Sequence, residues 1–307
     1  MMHPDHPFHA GELEAQRLAG GGAGGHGIRE AMPDQHRAFF QALPYAVLAG
    51  IDLEGRPAAT LVSGPPGFIA APNPLTLSIA TRLAPDDPMA AALAPGAPYG
   101  LLGIDFATRR RNRANGRVAA AGPAGYWLVV DQSFGNCPQY IQQREVHAEP
   151  RTPGPFETLS SLDDAAAAQI AAADTFFVAT AAIGPNGGVD VSHRGGRPGF
   201  VKTEGEVLTI PDFRGNRYFN TLGNMLAYPR AALLFVDFET GDLLQLQGTT
   251  EVAWGDDAET TGFAGAQRMW RFRMESGWRR KAAAPLRWTL IAPSPVNAAT
   301  GTWSEAS

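Results

Sequence analysis

Within residues 189–248 two basic clusters stand out: Arg197 and Lys202 in one, Arg214 and Arg217 in the other. A phosphate carries close to two negative charges, and each charge-assisted hydrogen bond to it contributes roughly 1.5–3 kcal/mol, so two such clusters on neighbouring segments can clamp an anion. Taken singly, each cation could equally be a solvated turn or strand-edge charge. The elements that must position them are short. Runs at 198–201, 207–210, 231–238 and 243–247 are of strand length, rich in β-branched or aromatic residues and bounded by Gly, Pro, Asn or Asp. Between them Phe219, Leu222, Met225 and Leu226 recur at helical spacing until Pro229 stops the pattern. Gln245 and Gln247 share one face of their strand, where two amides could read a polar ring edge. The combination predicts a small β-barrel holding an anionic cofactor.

The same residues resemble the pyridoxamine 5′-phosphate oxidase family, the FMN-binding split barrels. RPGFVK at 197–202 is similar to that family's strand of Arg, four mostly apolar residues and Lys. LTIPDFRGNR at 208–217 is similar to the strand and turn that follow, and YPRAALLF at 228–235 to the strand after the crossing helix. The resemblance covers about residues 173–252. It implies that Arg197, Lys202, Arg214 and Arg217 bind the FMN phosphate, with Ser192, His193, Thr209, Ile210 and Asn216 nearby and Gln245 or Gln247 near the flavin ring. His193 is read as lying on a glycine-rich turn.

The segment has a forerunner in the chain. FFQALPYAVLAGIDLEGRPAATLVSGPPGFI matches FFVATAAIGPNGGVDVSHRGGRPGFV in outline, as LTLSI matches EVLTI and GLLGIDF matches ALLFVDF. Split barrels of this family are typically dimers with flavin between subunits, so a tandem copy implies a pseudo-dimer in one chain: a mainly β fold with helices, made of two split barrels. The expected boundaries are a flexible extension at 1–31, a first barrel at 32–150, a second at 151–295 and a tail at 296–307. The two grooves differ. Asp86 and Asp87 fall roughly where Asn216 and Arg217 stand in the second copy, and Pro65 falls near the position of Arg197. Carboxylates repel a phosphate in a groove more than in bulk water. One FMN per chain is expected, in the groove served by the second copy.

The first copy has features of its own. Arg109, Arg111 and Arg113 share one face of a strand, either as a charged sheet edge or to hold an anion or the fused interface. After a strand at 126–132, Pro138 suits the first turn of a helix carrying Tyr140, Ile141 and Arg144. Many family members have a similar Asn or His, Cys, Pro segment that approaches the flavin of the opposite subunit. The resemblance therefore implies that Asn136, Cys137, Gln139 and Tyr140 complete the site. Cys137 at a helix N-terminus is either a redox-active thiol or a structural cysteine.

Composition bounds the rest. A net charge of −5 argues against nucleic acid as a partner. A single cysteine in 307 residues excludes an internal disulfide and suits a reducing cytosol, and no apolar run approaches a membrane span. A cytoplasmic location is expected. His3, His6 and His9 are read as part of a disordered tail in preference to a metal site, and the glycine run at 20–27 lacks the βαβ unit of a dinucleotide loop. A short helix at 7–16 is expected to pack on the first barrel. No triad or metal-ligand set emerges.

The expected function is an FMN-dependent oxidoreductase with a small-molecule substrate and an electron donor, either NAD(P)H or a separate reductase; further homodimerisation is compatible with this. The C-terminal pattern of Arg and His that serves vitamin B6 substrates is missing from ESGWRRKAAAPLRW. A flavin carrier or sensor is one alternative. A haem-binding split barrel with His193 or His147 as axial ligand is another.

Overall fold

A computed structural model of the chain describes residues 7–184, 186–255 and 262–306. His3 and His6 lie outside the described residues.

In the first half, α2 (Asp34–Ala42) precedes seven strands: β1 (Tyr45–Ile51), β2 (Pro57–Ser63), β3 (Ile69–Asn73), β4 (Thr76–Ile79), β5 (Pro98–Asp105), β6 (Arg110–Gly122) and β7 (Gly125–Gly135). They form one sheet in the order β2-β1-β5-β6-β7-β4-β3. The second half opens with β9 (Phe156–Leu159) and α3 (Asp164–Ala172). Its sheet comprises β10 (Thr175–Ala182), β11 (Gly188–Gly195), β12 (Lys202–Glu204), β13 (Val207–Phe213), β14 (Arg230–Val236), β15 (Leu243–Val252) and β16 (Ala266–Arg280), with α4 (Asn220–Ala227) between β13 and β14. The order β11-β10-β14-β15-β16-β13-β12 repeats that of the first sheet strand for strand. Two further strands, β8 (Gln143–Ala148) and β17 (Leu286–Ala292), pair with each other across the halves. The expected pair of mainly β barrels is what forms.

Sequence dictates the junction between them. β1 and β10 read YAVLAGI and TFFVATAA, nearly continuous apolar runs, because both faces of each strand are covered. Ala46 and Leu48 point into the first barrel's core, and Phe176 and Val178 into the second's. Their alternates Val47, Ala49, Phe177 and Ala179 meet in a third core shared by both halves.

Strand registers relate the halves residue by residue. Tyr45 faces Ser63 as Thr175 faces Gly195, so Thr60 corresponds to Ser192 and Val62 to Arg194. Val47 faces Leu102 and Leu102 faces Arg113; in the second half Phe177 faces Leu234 and Leu234 faces Gln245. Arg113 and Gln245 are therefore equivalent, as are Asn115 and Gln247. Each pair of strands shifts register just past this point, at Gly116 and at Gly248.

Several local expectations need correction. Residues 198–201 form a turn, because Gly199 sits at φ +85°, and the strands flanking it are β11 and β12. His193 lies on β11, not on a turn. Residues 136–142 carry no helix; Tyr140 takes φ +65° and the chain turns directly into β8. β6 lies between β5 and β7, so Arg111 and Arg113 are not at a sheet edge. Residues 20–27 do not hang free: Ala23 N–H donates to the Arg217 carbonyl at 3.1 Å. The preceding helix α1 (Ala10–Leu18) packs on α4 of the second half, not on the first barrel. No helix among the described residues is long and apolar enough to cross a membrane.

Candidate functional site

A recess of about 70 Å³ opens where β11, β13, the 213–219 loop, the start of α4 and the start of β16 converge. Arg113, Arg194, Arg217 and Arg268 line it together with Ser192, Asp212, Asn216, Asn220 and Thr221. That volume holds a few water molecules or one tetrahedral oxyanion. Strand alternation brings Ser192 and Arg194 to one face of β11, and Arg113 crosses from the other half.

Each guanidinium is held. Arg113 Nη1 bonds both oxygens of Asp190 at 2.8 and 2.9 Å, and its Nη2 donates to Ser192 Oγ at 2.6 Å. Arg194 lies 3.3 Å from Asp212, which also pairs with Arg268. Arg268 stacks between Phe219 and Trp254, at 5.2 and 5.1 Å from the ring centres. Arg217 donates to the Gly21 carbonyl. Four guanidiniums against two carboxylates leave an excess of positive charge. Burial, first, depresses the Arg194 guanidinium below its ordinary range, and its cationic neighbours Arg113 and Arg268 add to that while Asp212 opposes it. Beside it, burial and then Arg113 and Arg194 push Arg111 down to about 9. Crowded buried cations of this kind are what an incoming anion relieves.

The start of α4 faces the same recess. Its N-terminal residue Phe219 has φ +62° and no side chain caps the helix, while Asn220, Thr221 and Leu222 line the recess. Their backbone N–H groups lack intrahelical acceptors, which makes this end a ready anion site. Arg217, at φ +61°, is a second left-handed non-glycine residue in the loop. Such conformations cost on the order of 1–3 kcal/mol and cluster at ligand clamps. Arg113 Nε and Arg194 Nε are buried with no hydrogen-bond partner among the described residues, so the donor set is incomplete without a further acceptor.

The sequence-derived residues divide. Ser192, Asn216 and Arg217 line the recess. Arg214 is adjacent, but its side chain is exposed and its carbonyl accepts from Tyr140. Tyr140 stacks on Phe213 at 5.2 Å, and Arg111 Nε donates to the Cys137 carbonyl, which sets the 136–140 segment against the second half. Asn136 and Gln139 are half-buried in that segment.

Others point elsewhere. Arg197 pairs with Glu305 at 2.7 Å, and Lys202 pairs with Glu204 and lies over Trp303; the C-terminal segment draws both away. Thr209 sits on β13 opposite Lys202, and Ile210 is buried in the second core. Gln245 donates to the Ala59 carbonyl and Gln247 to the Pro57 carbonyl, both at 2.8 Å, so these amides tie the halves together. His193 is buried against Phe106 and Phe177, and burial and then Arg111 keep it well below its ordinary pKa. His147 is exposed on β8. Arg113 was expected to hold an anion, the fused interface or a sheet edge, and it does reach across the junction into this recess; Arg194, Arg268, Asn220 and Thr221 were not foreseen. The alternation of VDVSHR, with Asp190, Ser192 and Arg194 on one face, was the readable signal for Arg194.

The first half answers differently at each equivalent place. Val62 stands for Arg194, and Thr60 stands for Ser192. Asp87 does not line an open groove: its carboxylate turns inward, accepting from Thr60 Oγ at 2.7 Å and from Met89 N–H at 2.8 Å. Where the second half presents donors to a recess, the first half supplies its own acid.

Residues 162–297 match the pyridoxamine 5′-phosphate oxidase family. The second half of the chain is similar to this family. The match spans α3 through β17, including the recess residues of β11, β13, α4 and β16, and Arg113 is the arginine that the other half contributes. Among solved structures, a HupZ variant from Group A Streptococcus is similar at 12% identity over 38% of this chain and 98% of its own, with a TM-score of 0.31. A FAD-binding protein from Mesorhizobium loti is similar at 15% identity over 41% of this chain and 97% of its own, with a TM-score of 0.28. No curated protein matches.

Proposed function

We propose that this chain is a flavin-binding oxidoreductase that holds one FMN by its phosphate in the arginine recess. The observation that carries this reading is the convergence of Arg113, Arg194, Arg217 and Arg268 on the uncapped start of α4. The similarity of the second half to the pyridoxamine 5′-phosphate oxidase family supports flavin as the ligand. A terminal phosphate monoester is doubly charged near neutral pH and suits a small recess with excess positive charge. Flavin, when bound, supplies two-electron redox chemistry. The chain's own residues supply the rest: the arginines and the helix start fix the phosphate, and Ser192 and Thr221 hold each other at 2.8 Å beside it.

The recess is too small for a flavin ring. A cleft of about 690 Å³ between the halves shares Asn220 with it and is lined by His9, Glu12, Asn115 and Asp190. The proposal places the ring end there. The first half's Asp87 already occupies the partner place of Thr60, which supports one FMN per chain.

The absorption spectrum of purified protein, with the released ligand identified by mass, tests this. The expected result is one FMN per chain, with Arg194→Ala retaining the fold and losing most of the FMN. Full retention by that variant, or a released ligand without a flavin, overturns the reading. Reduction of bound flavin by NAD(P)H or by a reductase then separates an enzyme from a carrier.

A further inference from the structure

A second cleft, larger and of different character, lies on the first half. It measures about 960 Å³, and Ala38, Phe39 and Ala42 of α2, the turn residues Pro65 and Pro66, and Leu286 of β17 form most of its wall. Its size is that of a small-molecule site. Its polar groups are few: Gln35, Ser63, Asp105 and Arg110.

The repeat explains why the cleft is open. Ser63 corresponds to Gly195, so Gly64, Pro65 and Pro66 correspond to Gly196, Arg197 and Pro198. The helix contact is repeated too: Gly67 N–H donates to Gln41 as Gly199 N–H donates to Ala171. In the second half the C-terminal segment covers this face. Asn297 Nδ2 donates to Gly196 at 3.1 Å, Trp303 donates from its backbone to Gly199 and from its ring to Phe200, and Glu305 pairs with Arg197. In the first half the chain leaves β8 for β9, which pairs with β16. Among the described residues nothing takes the place of that segment.

We propose that this cleft binds a small, largely apolar molecule carrying one acidic group. The covered counterpart shows what chemistry the surface accepts, an aromatic ring with a carboxylate set beside a cation. Pro65 has replaced that cation, and Arg110 takes over at the opposite rim, its guanidinium over the Phe39 ring at 5.2 Å. Asp105 faces Arg110 across the strand pair, but its oxygens are turned to Ala107 N–H and Thr108 Oγ and make no ion pair with that guanidinium among the described residues. An anionic group on Arg110 with an apolar body against α2 satisfies both walls. The site is independent of the flavin reading.

The probe is 1-anilinonaphthalene-8-sulfonate, titrated by fluorescence into the full chain, with uncharged N-phenyl-1-naphthylamine as its control. One saturable sulfonate site per chain is expected. Ala42→Trp, at an exposed position, fills the cleft and weakens both probes by about tenfold or more. Arg110→Glu weakens the sulfonate by a similar factor and leaves the uncharged probe unchanged, and Pro66→Glu on the exposed turn repeats that pattern should the helix variant fold poorly. Arg194→Ala changes neither probe, whatever it does to flavin. Sulfonate binding that survives Ala42→Trp and Arg110→Glu in folded protein, or the absence of a saturable site, overturns the proposal.

Discussion

Arg113 and Gln245 occupy one position of the repeat, and each reaches across the junction into the other half. Arg113 meets Asp190 and Ser192, whereas Gln245 donates to the Ala59 carbonyl. The partner differs because Asp190 corresponds to Ala58. One half carries a buried ion pair at the junction where the other makes a neutral hydrogen bond.

This pair makes a sharp prediction. Arg113→Gln copies the other half but leaves Asp190, 5% exposed, without its cation and with only the neutral donors Asn115 and Ser192, and removing one partner of a buried ion pair costs about 3–5 kcal/mol. Adding Asp190→Ala copies the other half completely and removes the stranded charge. Urea denaturation is expected to show the double variant recovering most of the loss. A double variant no more stable than Arg113→Gln would mean that Asn115 and Ser192 suffice to hold the Asp190 charge without this arginine.

The phosphate assignment separates two arginines that look alike in the sequence. Arg217 faces the recess, and Arg197 ties down the C-terminal segment through Glu305. Arg217→Asp is expected to release FMN on desalting, whereas Arg197→Ala keeps it and instead speeds proteolysis of residues 294–306. The Arg197 pair is exposed and screened by solvent, so global stability should scarcely change. Flavin absorbance after gel filtration and mass mapping of the cut sites read the two outcomes.

The architecture was legible because apolar runs of strand length recur twice in the same order, and a run buried on both faces cannot be mistaken for an exposed strand. Ser192, Asn216 and Arg217 were found from local composition. Arg113 was singled out as an anion or interface residue but not joined to this recess, since it comes from the other half, and Arg268 was missed because it lies on a strand about fifty residues downstream of Asn216. Arg197 misled for the opposite reason: its type and spacing suit an anion, and only the path of the C-terminal segment shows that Glu305 takes it. Gln245 and Gln247 do share one face, as alternation requires, but the junction, not a ligand, covers that face.

Glu12 gives stability a pH dependence with a definite sign. Its carboxyl accepts from Asn220 and from the His9 N–H, but burial outweighs both and pushes it up to about 7 from an ordinary 4.5. Asp190 raises it further and Arg113 lowers it. A raised acid binds its proton more tightly folded than unfolded, so its contribution is fully present below about pH 4.5 and is lost as the pH rises through about 7. His9, lowered by burial, works in the other direction below its ordinary 6.5. Glu12→Gln isolates the first effect. The variant and the parent should unfold alike near pH 5 and diverge in favour of the variant by roughly 2–3 kcal/mol at pH 8. A gap that does not change with pH would show that Glu12 is ionised throughout.

The N-terminal segment is tied to two recess residues, Arg217 through the Gly21 carbonyl and Asn220 through Glu12, and a contact between two glycines sets how closely it packs. A Cβ on Gly223 would stand 2.4 Å from the Glu12 Cα, and one on Gly11 would stand 2.3 Å from the Gly223 carbonyl. Neither clash involves a side-chain tip that can swing away, so α1 must lift from α4. Gly223→Ala is therefore expected to cost about 1–3 kcal/mol by overpacking, despite alanine's better helix propensity. With α1 displaced, the Arg217 bond to Gly21 and the Asn220 bond to Glu12 are lost together. Cleavage after Arg17 or Arg29 by trypsin should quicken, and bound FMN should dissociate faster because those two recess residues have lost their ties. Gly122→Ala is the control: nothing stands within 4 Å of its Cβ and it lies at the end of β6 away from the recess, so neither rate should rise. Faster proteolysis with an unchanged FMN off-rate would show that the segment is tied to the recess residues without guarding the ligand.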